Sequence, residues 1–239
     1  MVIGAIFAGG IGSRMGSADM PKQYLQLGSK PIIVHTIEKF VINPEIDNII
    51  VLCPKAWIAH TKDLIKKHLG SAAEKITVVE GGSTRNGTLE NALKFINENF
   101  NIDDESVIVT HDAVRPFVTH RIICENVEAA RKYGACDTVI PATDTIVHSV
   151  DGENLADIPT RSELYQGQTP QSFNIRELEG VLASLTEDEK NTLTDACKIF
   201  TIKNKPVRII DGEVFNIKIT YAYDLKVANA LLGVVNNDK

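Results

Sequence analysis

The feature that most limits what this chain can fold into is the apolar run Val2 to Phe7, followed at once by Ala8-Gly9-Gly10-Ile11-Gly12-Ser13-Arg14-Met15-Gly16. An unbroken apolar run suits a strand buried on both faces, as in a parallel sheet. The glycines after it give a loop whose backbone can approach a ligand closely and turn its N–H groups inward, a nest for phosphate oxygens. Arg14 adds a planar fork of donors, and Lys22, presented by the stiff Pro21, adds a mobile point charge. Together they read as a cradle for a nucleoside triphosphate. The loop is not a P-loop, because no Gly-Lys-Ser/Thr closes it. It is also a poor dinucleotide fingerprint: Met15 stands where the third glycine belongs, and the second strand ends in Cys53-Pro54 with no acidic residue for a ribose.

Further strands and helices alternate downstream. The patterning predicts strands at Asn48 to Cys53, Lys75 to Glu80, Ser106 to Thr110, Ala135 to Pro141 and Val207 to Ile210. Helices are expected from Pro31, over Trp57 to Leu69, Asn86 to Phe100, Thr119 to Tyr133, Ile175 to Leu185 and Glu187 to Phe200, with a closing helix over Tyr223 to Leu232 that Thr220 caps. This order predicts one α/β domain over residues 1–239, a Rossmann-like doubly wound, mostly parallel sheet. Between Thr143 and Pro159 the pattern becomes short apolar-polar alternation around Asp151-Gly152, read as an inserted β-hairpin arm at about 143–160 that pairs two subunits. The stretch from Arg161 through Gln168-Thr169-Pro170-Gln171-Ser172-Phe173 reads as polar and poor in regular structure.

A net charge of −6 over 239 residues argues against a nucleic-acid or anionic-membrane surface, and makes cations gathered in glycine loops more telling. No apolar run approaches the roughly 18 residues of a membrane span. The N-terminus reads as a strand rather than a signal peptide. Cys53, Cys124, Cys136 and Cys197 are scattered, without metal-ligand spacing, and fit reduced thiols in a cytoplasmic protein.

A second glycine turn, Gly81-Gly82-Ser83-Thr84-Arg85, again joins a strand to a helix, which places it on the same edge of the sheet as the first. Its backbone and the Thr88 hydroxyl suit a base edge. His111-Asp112 ends the fourth strand. Asp112 is either a magnesium ligand facing the triphosphate or the cap of the next helix. Lys218, within Phe215-Asn216-Ile217-Lys218-Ile219-Thr220, is either an exposed strand lysine or a third cation aimed at the site.

Taken together these segments resemble the cytidylyltransferases that activate a polyol phosphate with CTP, the family of the methylerythritol 4-phosphate and ribitol 5-phosphate enzymes. The motifs that carry the resemblance run in one order along nearly the whole chain. They are the Ala8 to Gly16 turn, Pro21-Lys22-Gln23, Gly81-Gly82-x-x-Arg85, His111-Asp112-Ala113-x-Arg115-Pro116, Asp144-Thr145, Gln168-Thr169-Pro170-Gln171, Thr194-Asp195 and Asn216-Ile217-Lys218-x-Thr220. The resemblance implies catalysis by Arg14, Lys22 and Lys218, and a nucleotide site at Ala8, Gly9, Gly10, Gly12, Gly81, Gly82, Arg85, Thr88 and Asp112. It also implies Mg2+ on Asp112 and a polyol phosphate pocket of Arg115, Thr145, Arg161, Thr169 and Thr194. In the family the residues matching Thr145 and Arg161 come from the partner's arm, so a homodimer is expected. The chain departs from the methylerythritol branch at three places: one extra residue between Arg14 and Lys22, Tyr165 in place of a usual tryptophan, and Phe215 in place of an Asp or Glu. The ribitol branch is similar at all three, which makes ribitol 5-phosphate the expected acceptor and methylerythritol 4-phosphate the alternative. A nucleotide-binding module without catalysis is the reading of another class, and the intact cations Arg14, Lys22 and Lys218 speak against it.

Overall fold

The computed structural model describes residues 1–10, 20–193 and 195–233. Strand β1 (Val2–Phe7) runs through the middle of a seven-stranded sheet. After two short paired segments, β2 (Gln26–Leu27) and β3 (Lys30–Pro31), the chain continues through α1 (Ile32–Val41), β4 (Asn48–Cys53), α2 (Ile58–Leu69), β5 (Ile76–Glu80), α3 (Arg85–Asn99), β6 (Val107–Asp112), α4 (His120–Tyr133) and β7 (Ala135–Pro141). Strand β8 (Tyr165–Asn174) follows, then α5 (Ile175–Ala183), α6 (Glu187–Asn191), α7 (Lys198–Ile202), β9 (Arg208–Asp211) and α8 (Ala222–Leu231). The order across the sheet is β5-β4-β1-β6-β8-β7-β9, with β8 antiparallel to both neighbours and the other pairs parallel. This is the mostly parallel, doubly wound α/β architecture.

The period-2 alternation of the strands divides the core between two faces. Val2 and Ile6 of β1 join Ile37 and Phe40 of α1 and Ile122 of α4 on one face. Ile3, Ala5 and Phe7 join Leu89 and Ile96 of α3 and Phe200 of α7 on the other. Gly4 makes the first face possible: a Cβ there would lie 2.7 Å from Phe40 Cδ1, so any side chain would displace a ring whose burial contributes up to about 3 kcal/mol. Thr119 and Asn174 cap α4 and α5 by accepting from Ile122 N and Glu177 N.

Four expectations are corrected. The stretch around Gln168 to Phe173 is regular: it is β8, inserted between β6 and β7, and its buried polar side chains are bonded to the elements packed around it. Ser172 Oγ donates to Asn126 Oδ1 at 3.0 Å, while Asn126 Nδ2 donates to Thr138 Oγ1 at 2.8 Å. The expected helix over Glu187 to Phe200 is the two short helices α6 and α7. Lys218 lies outside any strand, and α8 is capped by the Asp224 carboxylate, which accepts from Thr220 N and Tyr221 N at 2.8 Å each, rather than by the Thr220 hydroxyl. Between β7 and β8, His148 pairs with Asp157 in an antiparallel bridge, and Asp151 accepts from the backbone of Glu153 and Asn154 at the tip of the arm.

Candidate active site

The β1–β6 register places Phe7 opposite Asp112, so the glycine turn that leaves β1 starts beside the carboxylate that ends β6. Between them opens a cavity of about 330 Å³, walled by Ala8 to Gly10, Lys22, Gly82, Arg85, Thr88, Asp112 and Lys218. It sits at the carboxyl edge of the parallel strands, where doubly wound sheets bind ligands.

Each wall has a local reason. Lys22 opens a one-turn helix, Lys22–Tyr24, in which Tyr24 stacks on Trp57 with ring centroids 4.7 Å apart and Gln23 Nε2 donates to Ala8 O at 2.6 Å. The lysine is thereby fixed to the glycine turn. Gly82 has no room for a side chain, since a Cβ would fall 2.3 Å from the Gly87 carbonyl carbon. Its N–H donates to Thr88 Oγ1 at 3.1 Å, and the Thr88 hydroxyl donates to Thr84 O at 2.8 Å. Thr88 thus holds the second glycine turn and keeps a lone pair for a ligand donor.

Asp112 is the centre. Its carboxylate meets Arg85 Nη1 at 2.5 Å, Lys218 Nζ at 2.9 Å and Arg115 Nε at 3.6 Å. Burial would raise its pKa, but Arg85, Lys218 and Arg115 outweigh burial and hold it far below the usual carboxylate range. For Arg115, burial outweighs the attraction of Asp112 and lowers the guanidinium pKa; for Arg85, which also lies 5.3 Å over the Phe7 ring, the carboxylate prevails and raises it. Lys218 reaches Asp112 because its neighbours are anchored. Asn216 is fully buried, donates to Thr169 O at 2.9 Å and accepts from Arg115 Nη1 through its carbonyl at 2.8 Å; Ile219 N donates to Val114 O. The spacing Asn-x-Lys-Ile is therefore two anchors bracketing one projecting cation.

Behind Asp112, His111 is buried and neutral, its pKa brought down to about 4 by burial. Arg115 O can only accept, so Nε2 carries the proton and donates to it at 3.0 Å, while Nδ1 accepts from the Thr169 hydroxyl at 2.9 Å. That hydroxyl accepts in turn from Asp112 N at 3.1 Å. His111 is thus a brace for the strand end, and Asp112, being the last residue of β6, is not a helix cap.

Among the residues expected from the sequence, Ala8, Gly9, Gly10, Lys22, Gly82, Arg85, Thr88, Asp112 and Lys218 meet at the cavity. Gly81 fixes the turn through Gly81 N to Cys53 O at 2.9 Å, and Arg115 and Thr169 stand directly behind Asp112. Thr145 and Arg161 lie outside the cavity of their own chain: Thr145 is in the exposed arm, and Arg161 Nη1 donates to Thr143 O at the arm's base. Gly12, Arg14 and Thr194 fall outside the described residues. Sequence reasoning missed a second carboxylate group: Asp137, Asp195 and Cys197, whose ligand atoms all lie within 4.8 Å of one another. Asp195 was already in the Thr194-Asp195 motif, without a role; the further signal was an aspartate inside the apolar run of β7, where that residue type is rare.

A doubly wound sheet with a glycine nest, lysines and a buried anionic strand end over one cavity is the site of a nucleotidyltransferase. The model of the family 2-C-methyl-D-erythritol 4-phosphate cytidylyltransferase, IspD, matches residues 2–234, and the chain belongs to that family. Among solved structures it is similar to 4-diphosphocytidyl-2C-methyl-D-erythritol synthase from Anaerococcus prevotii, at 29% identity and TM-score 0.77 over 97% of this chain and 96% of that one. It is similar also to the Francisella tularensis 2-C-methyl-D-erythritol 4-phosphate cytidylyltransferase, at 27% identity and TM-score 0.78 over 96% of this chain and 98% of that one. The activity of the family is CTP-dependent cytidylyl transfer. No described helix is long and apolar enough to cross a membrane.

Proposed function

We propose that this chain transfers CMP from CTP to D-ribitol 5-phosphate, releasing pyrophosphate and forming CDP-ribitol, a precursor for wall teichoic acid or a related polymer. The observation that carries the reaction is the convergence of Lys22, Lys218 and Asp112, far apart in sequence, on one cavity floored by two glycine turns. In the proposed chemistry a phosphate oxygen of the polyol phosphate attacks the α-phosphorus of CTP in line with the departing pyrophosphate. That oxygen is already an anion, so no general base is required, and His111, buried and bonded at both nitrogens, supplies none. Catalysis then rests on positioning and on neutralising charge as the pentacoordinate phosphorus forms. Lys22 holds the triphosphate against the glycine turn, with Arg14 as a further cation. Lys218, 43% exposed and on a long stem, swings from Asp112 to the phosphates when the nucleotide arrives.

A single ionised carboxylate fits Mg2+ when phosphate oxygens and waters complete its octahedral shell. Asp112 would hold the ion, which when bound adds positive charge against the triphosphate. Phe215, where the methylerythritol branch carries a carboxylate, is 41% exposed and lines no part of the cavity, so Asp112 is its protein ligand in this reading.

Thr145 and Arg161 are assigned to the polyol phosphate pocket of a second subunit. The arm that bears them exposes Ile146, Val147, Val150, Leu155 and Ile158, apolar surface suited to covering by another copy of the chain. Arg115, Thr169 and Thr194 complete that pocket from the chain itself.

Methylerythritol 4-phosphate is the second reading, and the similar proteins named above favour it: both are methylerythritol phosphate enzymes. Tyr165, Phe215 and the extra residue before Lys22 favour ribitol 5-phosphate. Incubating the chain with CTP, Mg2+ and each polyol phosphate separately, with products read by phosphorus NMR, decides between them. CDP-ribitol as the main product is expected; product from methylerythritol 4-phosphate alone would replace the acceptor and leave the reaction class intact.

A further inference from the structure

Asp137, Gln171 and Asp195 form a group that the proposed chemistry leaves unused. Gln171 is 2% exposed, and its amide reaches between the two carboxylates: Nε2 donates to Asp137 Oδ1 at 3.1 Å and to both Asp195 oxygens at 2.9 Å. Its Oε1 is buried with no partner, an acceptor for which the described residues supply no donor. Both aspartates keep partial access to solvent. Ile108, Ala135 and Phe173 share one core face, so Asp112, Asp137 and Gln171, each an even number of residues along from one of them, belong to that same face. Asp137 pairs with Gln171 and Gln171 with Thr110, two residues before Asp112, so two strand spacings and two residue rises, together about 12 Å, separate the Asp112 and Asp137 positions. A phosphorylated five-carbon chain spans that interval. Asn86 Nδ2 donates to Leu193 O, which ties the loop carrying Asp195 to the start of α3 beside Arg85.

We infer that Asp137 and Asp195, held by Gln171, bind the hydroxyl groups of the acceptor's polyol chain and so determine which polyol phosphate is used; this rests on the polyol phosphate reading above. Carboxylates and an unmet amide oxygen are acceptors, and a polyol chain is a row of donors. Burial pushes the Asp137 carboxyl up to about 7, with the Gln171 amide opposing and the Asp195 charge adding to the shift. At neutral pH the carboxyl of Asp137 is therefore partly protonated, and can give as well as take a bond, as each hydroxyl does. A branch methyl placed here would leave an acceptor unpaired, so the group disfavours branched polyols.

The test compares Asp137→Asn with the unaltered enzyme, using CTP and ribitol 5-phosphate, then a set of 5-phosphates each lacking one chain hydroxyl. The inference expects KM for ribitol 5-phosphate to rise about 10- to 100-fold, as for a lost charged hydrogen bond, with KM for CTP unchanged. It also expects one deoxy substrate to be penalised in the unaltered enzyme and not further penalised in the variant. The thermal midpoint should hold or rise, because a buried carboxylate pair costs stability. Unchanged KM for the polyol in an active variant overturns the inference alone. If the variant does not fold, the deoxy series on the unaltered enzyme decides: uniform KM across it overturns the inference. No turnover of any polyol phosphate by the unaltered enzyme overturns both this inference and the function it rests on.

Discussion

Replacing Asp112 by Asn removes the one anion that three cations share. Arg115, whose side chain is 10% exposed, and Arg85, 26% exposed, would remain in the wall with Lys218 and without the carboxylate that pairs with all three, Asp137 and Asp195 acting on the arginines only from further off. Stripping one partner from a buried ion pair costs about 3–5 kcal/mol, and the partial exposure of Arg85 and Lys218 places this case near about 3 kcal/mol. The unfolding entropy of a chain of 239 residues is about 0.5 kcal/mol/K, so the thermal midpoint should fall by about 6 °C. A phosphate-bearing ligand replaces the missing negative charge. CTP or pyrophosphate should therefore raise the midpoint of Asp112→Asn more than that of the unaltered protein, while turnover drops because the proposed metal ligand is gone. Differential scanning calorimetry with and without pyrophosphate measures both shifts. A midpoint within 1 °C of the original (roughly 0.5 kcal/mol), or equal ligand effects in the two proteins, would refute the idea that Asp112 balances this cluster.

Other consequences are as direct. His111 carries a folded-state pKa of about 4 against an ordinary 6.5, so the unfolded chain binds the extra proton first. Stability should be intact above pH 6.5 and fall as pH drops from 6.5 toward 4, a loss that His111→Gln removes from the acid-unfolding curve if the rest of the chain is unchanged. Deleting residues 145–159 should leave a folded protein that sediments as a monomer and has lost turnover, since Thr145 is gone and Arg161 would no longer reach a second subunit; a dimeric deletion variant would refute the arm's assignment. Thr88→Val should weaken CTP binding about 5- to 10-fold by releasing the Gly82 N–H, read by calorimetric titration.

How much of this was written in the sequence differs by element. Strands β1, β4 and β6 were legible because burial on both faces demands apolar runs, and the glycine turns because their backbone geometry admits little else. Strand β8 was not, because its polar Gln168, Thr169, Gln171 and Ser172 are buried by pairing with Asn216, Asp112, Asp195 and Asn126, partners distant in sequence. Lys218 was ambiguous for the same reason: only the anchoring of Asn216 by Thr169 and Arg115 shows where the lysine points. The cap of α8 went to Asp224 instead of Thr220 because a carboxylate inside the first turn can accept from two backbone donors at once. Asp195 stood in a motif and Asp137 in none, and their meeting was hidden because 58 residues of chain separate two groups that only the fold brings together.

The central claim is that cations distant in the chain act on one bound triphosphate, and kcat of Lys218→Ala with CTP and its polyol phosphate tests it most directly. Loss of one preorganised positive group should lower kcat by about 10²- to 10³-fold while the protein stays folded. Near-normal turnover in a folded Lys218→Ala protein would contradict the account.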